Sequence, residues 1–75
     1  MIRYQNRNRD SGVAFYELLS NGIVVHFTTG AIYEYTYATA GKTSIDQMKK
    51  LAESGSGLNS YINQNVKYKY SRKIR

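Results

Sequence analysis

The chain has 75 residues, 41% of them hydrophobic, with no cysteine, proline or tryptophan and a formal charge of +6. Without cysteine there is no disulfide framework, thiolate zinc site or cysteine nucleophile, and a single histidine excludes a two-histidine metal site. The length admits one thin-cored domain that hides only roughly 60% of its unfolded surface, and the sign of the charge favours an anionic partner. No apolar run approaches the roughly 20 residues of a membrane-spanning helix. The opening Met1-Ile2-Arg3-Tyr4-Gln5-Asn6-Arg7 also lacks the apolar stretch of a signal peptide. The expectation is a soluble cytoplasmic protein with no membrane partner.

Residues 1–10 form a basic arm, with Arg3, Arg7 and Arg9 in the first nine residues and no acid among those nine. Residues 11–37 read as a three-stranded β-meander. Val13-Ala14-Phe15-Tyr16-Glu17-Leu18-Leu19, Ile23-Val24-Val25-His26-Phe27 and Ala31-Ile32-Tyr33-Glu34-Tyr35-Thr36-Tyr37 are rich in the β-branched and aromatic residues that strands favour. Asn21-Gly22 is a strong two-residue hairpin signal, and Thr28-Thr29-Gly30 fits a three-residue loop ending in a left-handed glycine. Those turns set Leu18 opposite Val25, Tyr16 opposite Phe27, Phe27 opposite Ala31, Val25 opposite Tyr33 and Ile23 opposite Tyr35. One face then carries Ala14, Tyr16, Leu18, Ile23, Val25, Phe27, Tyr33, Tyr35 and Tyr37, without a charge, and is the core face. The other carries Phe15, Glu17, Leu19, Val24, His26, Thr28, Ile32, Glu34 and Thr36 and is mixed.

Helices are expected over residues 44–66. Ser44 with Gln47 has capping-box spacing, and Ile45, Met48, Leu51 and Ala52 fall on one side at helical spacing. Ser54-Gly55-Ser56-Gly57 ends this helix, and Leu58, Tyr61, Ile62 and Val66 make the stripe of a second one, over about 58–66. The fold class is therefore α+β: a three-stranded antiparallel meander followed by two short helices packed on one face. The basic tail, residues 67–75, alternates Lys67-Tyr68-Lys69-Tyr70-Ser71-Arg72 and is a candidate edge strand with lysines on one side and tyrosines on the other.

Taken together, Ser11, Val13, a hairpin, Val25-His26-Phe27, Gly30, Tyr33-Glu34-Tyr35, a helix and the closing Tyr61-Ile62-Asn63-Gln64-Asn65-Val66-Lys67-Tyr68-Lys69-Tyr70 resemble the KTSC domain family. The resemblance spans roughly residues 11–74. Its hallmark Tyr-x-Tyr is matched by Tyr33 and Tyr35, although the proline that commonly follows in the family is missing here. The Ser-Gly segment also sits about two residues further from the aromatic pair than in the family. Such domains stand C-terminal to some lysyl-tRNA synthetases or alone, and the resemblance implies an RNA-binding role.

Eight of the eleven basic residues lie at the ends: Arg3, Arg7 and Arg9, then Lys67, Lys69, Arg72, Lys73 and Arg75. Because the termini of a small domain often lie close together, the two sets are expected to form one anion-attracting patch. The leading expectation is a non-catalytic nucleic-acid-binding module, RNA before DNA. Arg3, Arg7, Arg9, Lys67, Lys69, Arg72 and Lys73 would meet phosphates, and Tyr68 or Tyr35 would stack on bases. Tyr33, Tyr35 and Tyr37 together would also make a stacking platform, unless they are core. A second expectation is a sequestering protein for a phosphorylated small molecule such as a nucleotide, with aromatic walls and a homo-oligomer to complete the cavity. A third is a module docking acidic protein partners at a sheet edge. His26 between Glu17 and Glu34 suits a general base or a pH switch, but no nucleophile with a second base accompanies it and ordinary cross-strand charge pairing is the favoured explanation. Gly55-Ser56-Gly57 suits either a phosphate turn or a hinge between helices. No catalytic residue, metal ligand or cofactor is expected.

Overall fold

A computed structural model describes residues 2–5 and 12–75 of the chain. The strands are β1 (Ile2–Arg3), β2 (Val13–Leu19), β3 (Gly22–Phe27), β4 (Ile32–Thr36) and β5 (Arg72–Lys73). They form one antiparallel sheet in the order β1-β2-β3-β4-β5. Helices α1 (Tyr37–Ala40), α2 (Lys42–Ser54) and α3 (Leu58–Tyr61) follow β4, and α3 runs on into a π-helical stretch, Ile62–Val66. The α+β class is as expected, with the meander extended by a two-residue strand at each edge. Arg7, Arg9 and most of the expected N-terminal arm lie outside the described residues. No helix among the described residues is long and apolar enough to cross a membrane.

The β3–β4 hairpin has the expected register, with Val25 opposite Tyr33 and Ile23 opposite Tyr35. Phe27 N–H donates to the Ala31 carbonyl at 2.8 Å, and Gly30 takes a positive φ of 96°. The β2–β3 hairpin departs from expectation. Leu19 pairs with Gly22, so the two-residue turn is Ser20-Asn21, and Leu18 faces Ile23 while Tyr16 faces Val25. Gly22 is drawn into the strand because it pairs with Thr36, where a Cβ on it would collide with the Tyr35 carbonyl oxygen. Only glycine fits that approach. The shift is two residues, so the parity of each strand, and with it the choice of face, survives. A bulge between Val13 and Phe15 then puts Val13 rather than Ala14 into the core, while Leu18, expected on the core face, is 37% exposed and Val24, expected on the mixed face, is buried.

Two boundaries also move. Tyr37 was expected to end β4 on the core face, but it opens α1, where Thr36 N–H donates to Thr39 Oγ1 at 3.3 Å. Helix α2 begins at Lys42 after Gly41, two residues before the Ser44 start. Its inward stripe is as read: Ile45, Met48 and Ala52 are buried. They pack with Leu58, Ile62 and Val66 against Tyr16, Ile23, Val25 and Tyr35 of the sheet. Each large apolar side chain so buried contributes about 1.5–3 kcal/mol. Lys49 Nζ donates to the Leu19 carbonyl at 2.7 Å and fastens α2 to the β2–β3 hairpin. The helices cover only one face of the sheet; on the other, Phe15 remains 43% exposed.

Candidate nucleic-acid interface

Residues of the β3–β4 hairpin, of α3 with its π-helical continuation and of the tail line an open cleft of about 400 Å³. One wall is the β3–β4 hairpin, contributing Phe27, Thr28, Thr29 and Ala31. The floor is Tyr33 and Tyr35 of β4, and the facing wall is Asn59, Ile62 and Asn63 from α3 and its π-helical continuation. Lys67, Tyr68 and Tyr70 of the tail close the third side, with Gly12 at the far corner. The π stretch keeps Ile62 and Val66 in the core while Asn63 faces solvent. Such widened turns recur at functional sites.

The cleft is aromatic. Phe27 meets Tyr33 edge-on at 5.8 Å between ring centroids, and the Tyr70 ring lies 4.8 Å from that of Tyr33. Tyr35 is 6.5 Å from Tyr33 and only 2% exposed. Burial first, then the neighbouring Tyr33 and Tyr70 hydroxyls, push its pKa up to about 12, so it stays a protonated phenol. Tyr68 contrasts with it: the residue is 80% exposed, with Lys67 Nζ 5.5 Å from its ring centroid. A large aromatic held in water at the rim of a cleft is an available stacking surface. No carboxylate and no imidazole line the cleft among the described residues.

The tail that forms the third wall is tied down by β4. Ser71 N–H donates to the Glu34 carbonyl, and Ser71 Oγ reaches Glu34 Oε2 at 2.7 Å. Arg72 pairs with the same carboxylate at 3.4 Å. Lys73 Nζ lies 5.9 Å above the Tyr33 ring, and Ile74 N–H donates to the Ile32 carbonyl at 2.7 Å. Only Arg72–Lys73 is strand, so the expected lysine-out, tyrosine-in alternation over 67–72 does not form. Tyr70 turns inward, but Tyr68 points into solvent.

The nine residues singled out from the sequence therefore separate. Lys67, Tyr68, Lys69, Arg72 and Lys73 share one end of the molecule, with Lys67 and Tyr68 on the cleft itself. Arg3 is exposed on β1, at the opposite edge of the sheet, four strand spacings or about 19 Å from β5. The single patch expected from the two chain ends is thus not formed between Arg3 and the tail, because β1 and β5 add to opposite edges. Arg7 and Arg9 lie outside the described residues. Tyr35 is core and cannot stack on a base. The Tyr33-Tyr35-Tyr37 platform is also broken: Tyr37 leaves the strand to sit under Lys42 and Lys49, with its hydroxyl 3.5 Å from Asp46.

His26 stands opposite Ile32 with its ring edge-on to Phe15 at 6.4 Å. It makes no ion pair with Glu17 or Glu34 among the described residues. Gly55-Ser56-Gly57 is the turn between α2 and α3, with Gly57 packed near Leu51. What sequence reasoning passed over is the polar wall: Thr28, Thr29, Asn59 and Asn63. The available signal was the four-residue spacing of the two asparagines beside the Leu58-Ile62 stripe. No family model matches the chain, and neither the curated proteins nor the solved structures contain a match.

Proposed function

We propose that this chain is a binding module for single-stranded nucleic acid, RNA before DNA, that works through its C-terminal edge alone. The observation that carries the reading is Tyr68, 80% exposed on the rim of an aromatic cleft, with Lys67 against its ring. One base seated between Tyr68 and the cleft wall would leave its flanking phosphates among Lys67, Lys69, Arg72 and Lys73. Stacking contributes about 1–3 kcal/mol per base, and the tail cations add an electrostatic term that salt weakens. The resemblance to KTSC domains supports RNA ahead of DNA.

Fluorescence anisotropy with a labelled single-stranded RNA decamer tests the proposal. Affinity falls steeply between about 50 and 200 mM salt, with a log–log slope near −0.7 for each phosphate neutralised. Tyr68→Ala weakens binding about tenfold or more without changing thermal stability. Neutralising Lys67, Lys69 and Lys73 to glutamine together flattens the salt slope by about two units. Binding that ignores salt, or that survives both changes, sinks the proposal.

A second reading has its own observation. The cleft of about 400 Å³ is concave and has room for one nucleotide. A free mononucleotide that displaces the decamer stoichiometrically at low concentration favours sequestration of a phosphorylated small molecule over strand binding.

A further inference from the structure

The helices leave one face of the sheet open, and the side chains on that face repeat about a centre line. On β3, Val24 and His26 stand in the middle. Phe15 and Glu17 flank them on β2, and Ile32 and Glu34 flank them on β4. Beyond these, β1 brings Arg3 opposite Phe15 and β5 brings Arg72 opposite Glu34. The order arginine, apolar with glutamate, centre, apolar with glutamate, arginine reads the same from either edge. The middle of the face is apolar: Phe15 is 43% exposed, with its ring edge-on to His26 at 6.4 Å. The face is also electrically balanced, Arg3 and Arg72 against Glu17 and Glu34, in a chain of charge +6. Glu34 pairs with Arg72 at 3.4 Å, whereas Arg3 and Glu17 have no ion pair among the described residues.

We infer that a second copy of the chain docks on this face, the two sheets packing back to back about a two-fold axis that runs along β3. A two-fold contact matches a surface to itself, which a palindromic face allows. Phe15 of each copy lies on Ile32 of the other, with Val24 and His26 at the axis. On each flank Arg3 and Glu17 meet Glu34 and Arg72 of the other copy, a neutral quartet in which Glu17 gains the arginine it lacks. Aligned sheets pack in this way, about 10 Å apart and within about 30° of each other. The rest of each chain is net positive, so copies repel one another except across this face, and a neutral face offers a polyanion no electrostatic gain. Five strands about 4.8 Å apart and about five residues long give a footprint of about 400 Å² per copy, which places the dimer among the weak, reversible ones. Docking is independent of what the cleft binds, because the cleft lies on the helical side of the sheet and stays open in both copies.

Sedimentation velocity on the full chain, from about 1 μM to about 1 mM, tests this. The weight-average mass is expected to rise from 8.6 kDa toward twice that value. Phe15→Glu lowers the net charge and so eases general repulsion, yet it is expected to raise the dimer dissociation constant about tenfold or more. Glu17→Arg, which leaves one glutamate against three arginines in each quartet, raises it severalfold. His26→Cys places a single thiol of the chain at the axis, and a short bismaleimide links two copies through it. Ser60→Cys, exposed on α3, is not linked. A mass that stays at 8.6 kDa across the series overturns the inference. So does a dimer that survives Phe15→Glu, or one that links through Ser60→Cys and not through His26→Cys, because another surface then holds it.

Discussion

The two edges of the sheet carry charge of the same sign and use it differently. At the β1 edge Arg3 is exposed, and the next residue, Tyr4, turns inward to 3% exposure. There Tyr4 N–H donates to the Ala14 carbonyl at 3.0 Å, and its hydroxyl accepts from the Leu58 amide at 3.2 Å. That edge is a clamp joining the sheet to the start of α3. At the β5 edge the aromatic rings stop short of closing over, and the cations flank an open cleft. Basic residues alone therefore do not define a site. What separates the two edges is whether an aromatic beside the charge is spent on the core or left facing water.

The sharpest way to break this contrast is Tyr4→Ala. It removes a buried ring and leaves the Leu58 amide without its acceptor, so a loss of about 3–5 kcal/mol is expected in urea unfolding. Under folding conditions RNA affinity should not change. A smaller effect belongs to Tyr35, beneath the cleft. Its pKa is raised in the folded state, so the stability it confers is complete below about pH 10 and is lost as pH rises toward about 12. The loss is on the order of 1–2 kcal/mol once solvent screening is allowed for, and Tyr35→Phe removes it from an alkaline unfolding series.

Glu34→Gln sharpens the comparison further. Weakening the Ser71 and Arg72 anchors costs the fold about 1 kcal/mol, since the Arg72 side of the pair is solvated although the Glu34 carboxylate is only 19% exposed. Calorimetry should register little, while the loosened cleft wall weakens RNA binding by severalfold in anisotropy. Arg3→Gln is the smallest expected effect. Affinity stays within about twofold at 150 mM salt, because about 19 Å exceeds the screening length of about 8 Å. A larger change would restore the single-patch picture.

Much of the frame is legible in the residue pattern. Alternation over Ile32–Thr36 and the Ile45-Met48-Ala52 stripe identify the buried faces. On β2, by contrast, only Tyr16 of the expected Ala14, Tyr16 and Leu18 is buried, because the bulge at Val13–Phe15 breaks the parity and Leu18 lies near the exposed hairpin end. The Ser20-Asn21 turn was not legible, because what overrides the Asn21-Gly22 signal is a tertiary approach of Gly22 to the Tyr35 carbonyl. The two-residue β1 shows no periodicity at all, and the alternation over 67–72 announces an edge strand in the tail without showing that only Arg72–Lys73 forms it. Their placement at opposite edges, which decides whether Arg3 joins the tail, is set by packing of Tyr4 and Tyr70. The cleft is hidden for the same reason: Asn59 and Asn63 read as an ordinary polar helix face until β3, β4 and the tail are folded around them.

The row of rings from Phe27 through Tyr33 to Tyr70 has an optical consequence. The chain contains eight tyrosines and no tryptophan, so no indole drains their excitation or masks their emission near 300 nm. A base arriving beside Tyr68 would quench a solvent-facing phenol and leave the buried emitters bright. Binding can therefore be followed by intrinsic fluorescence on the unlabelled protein.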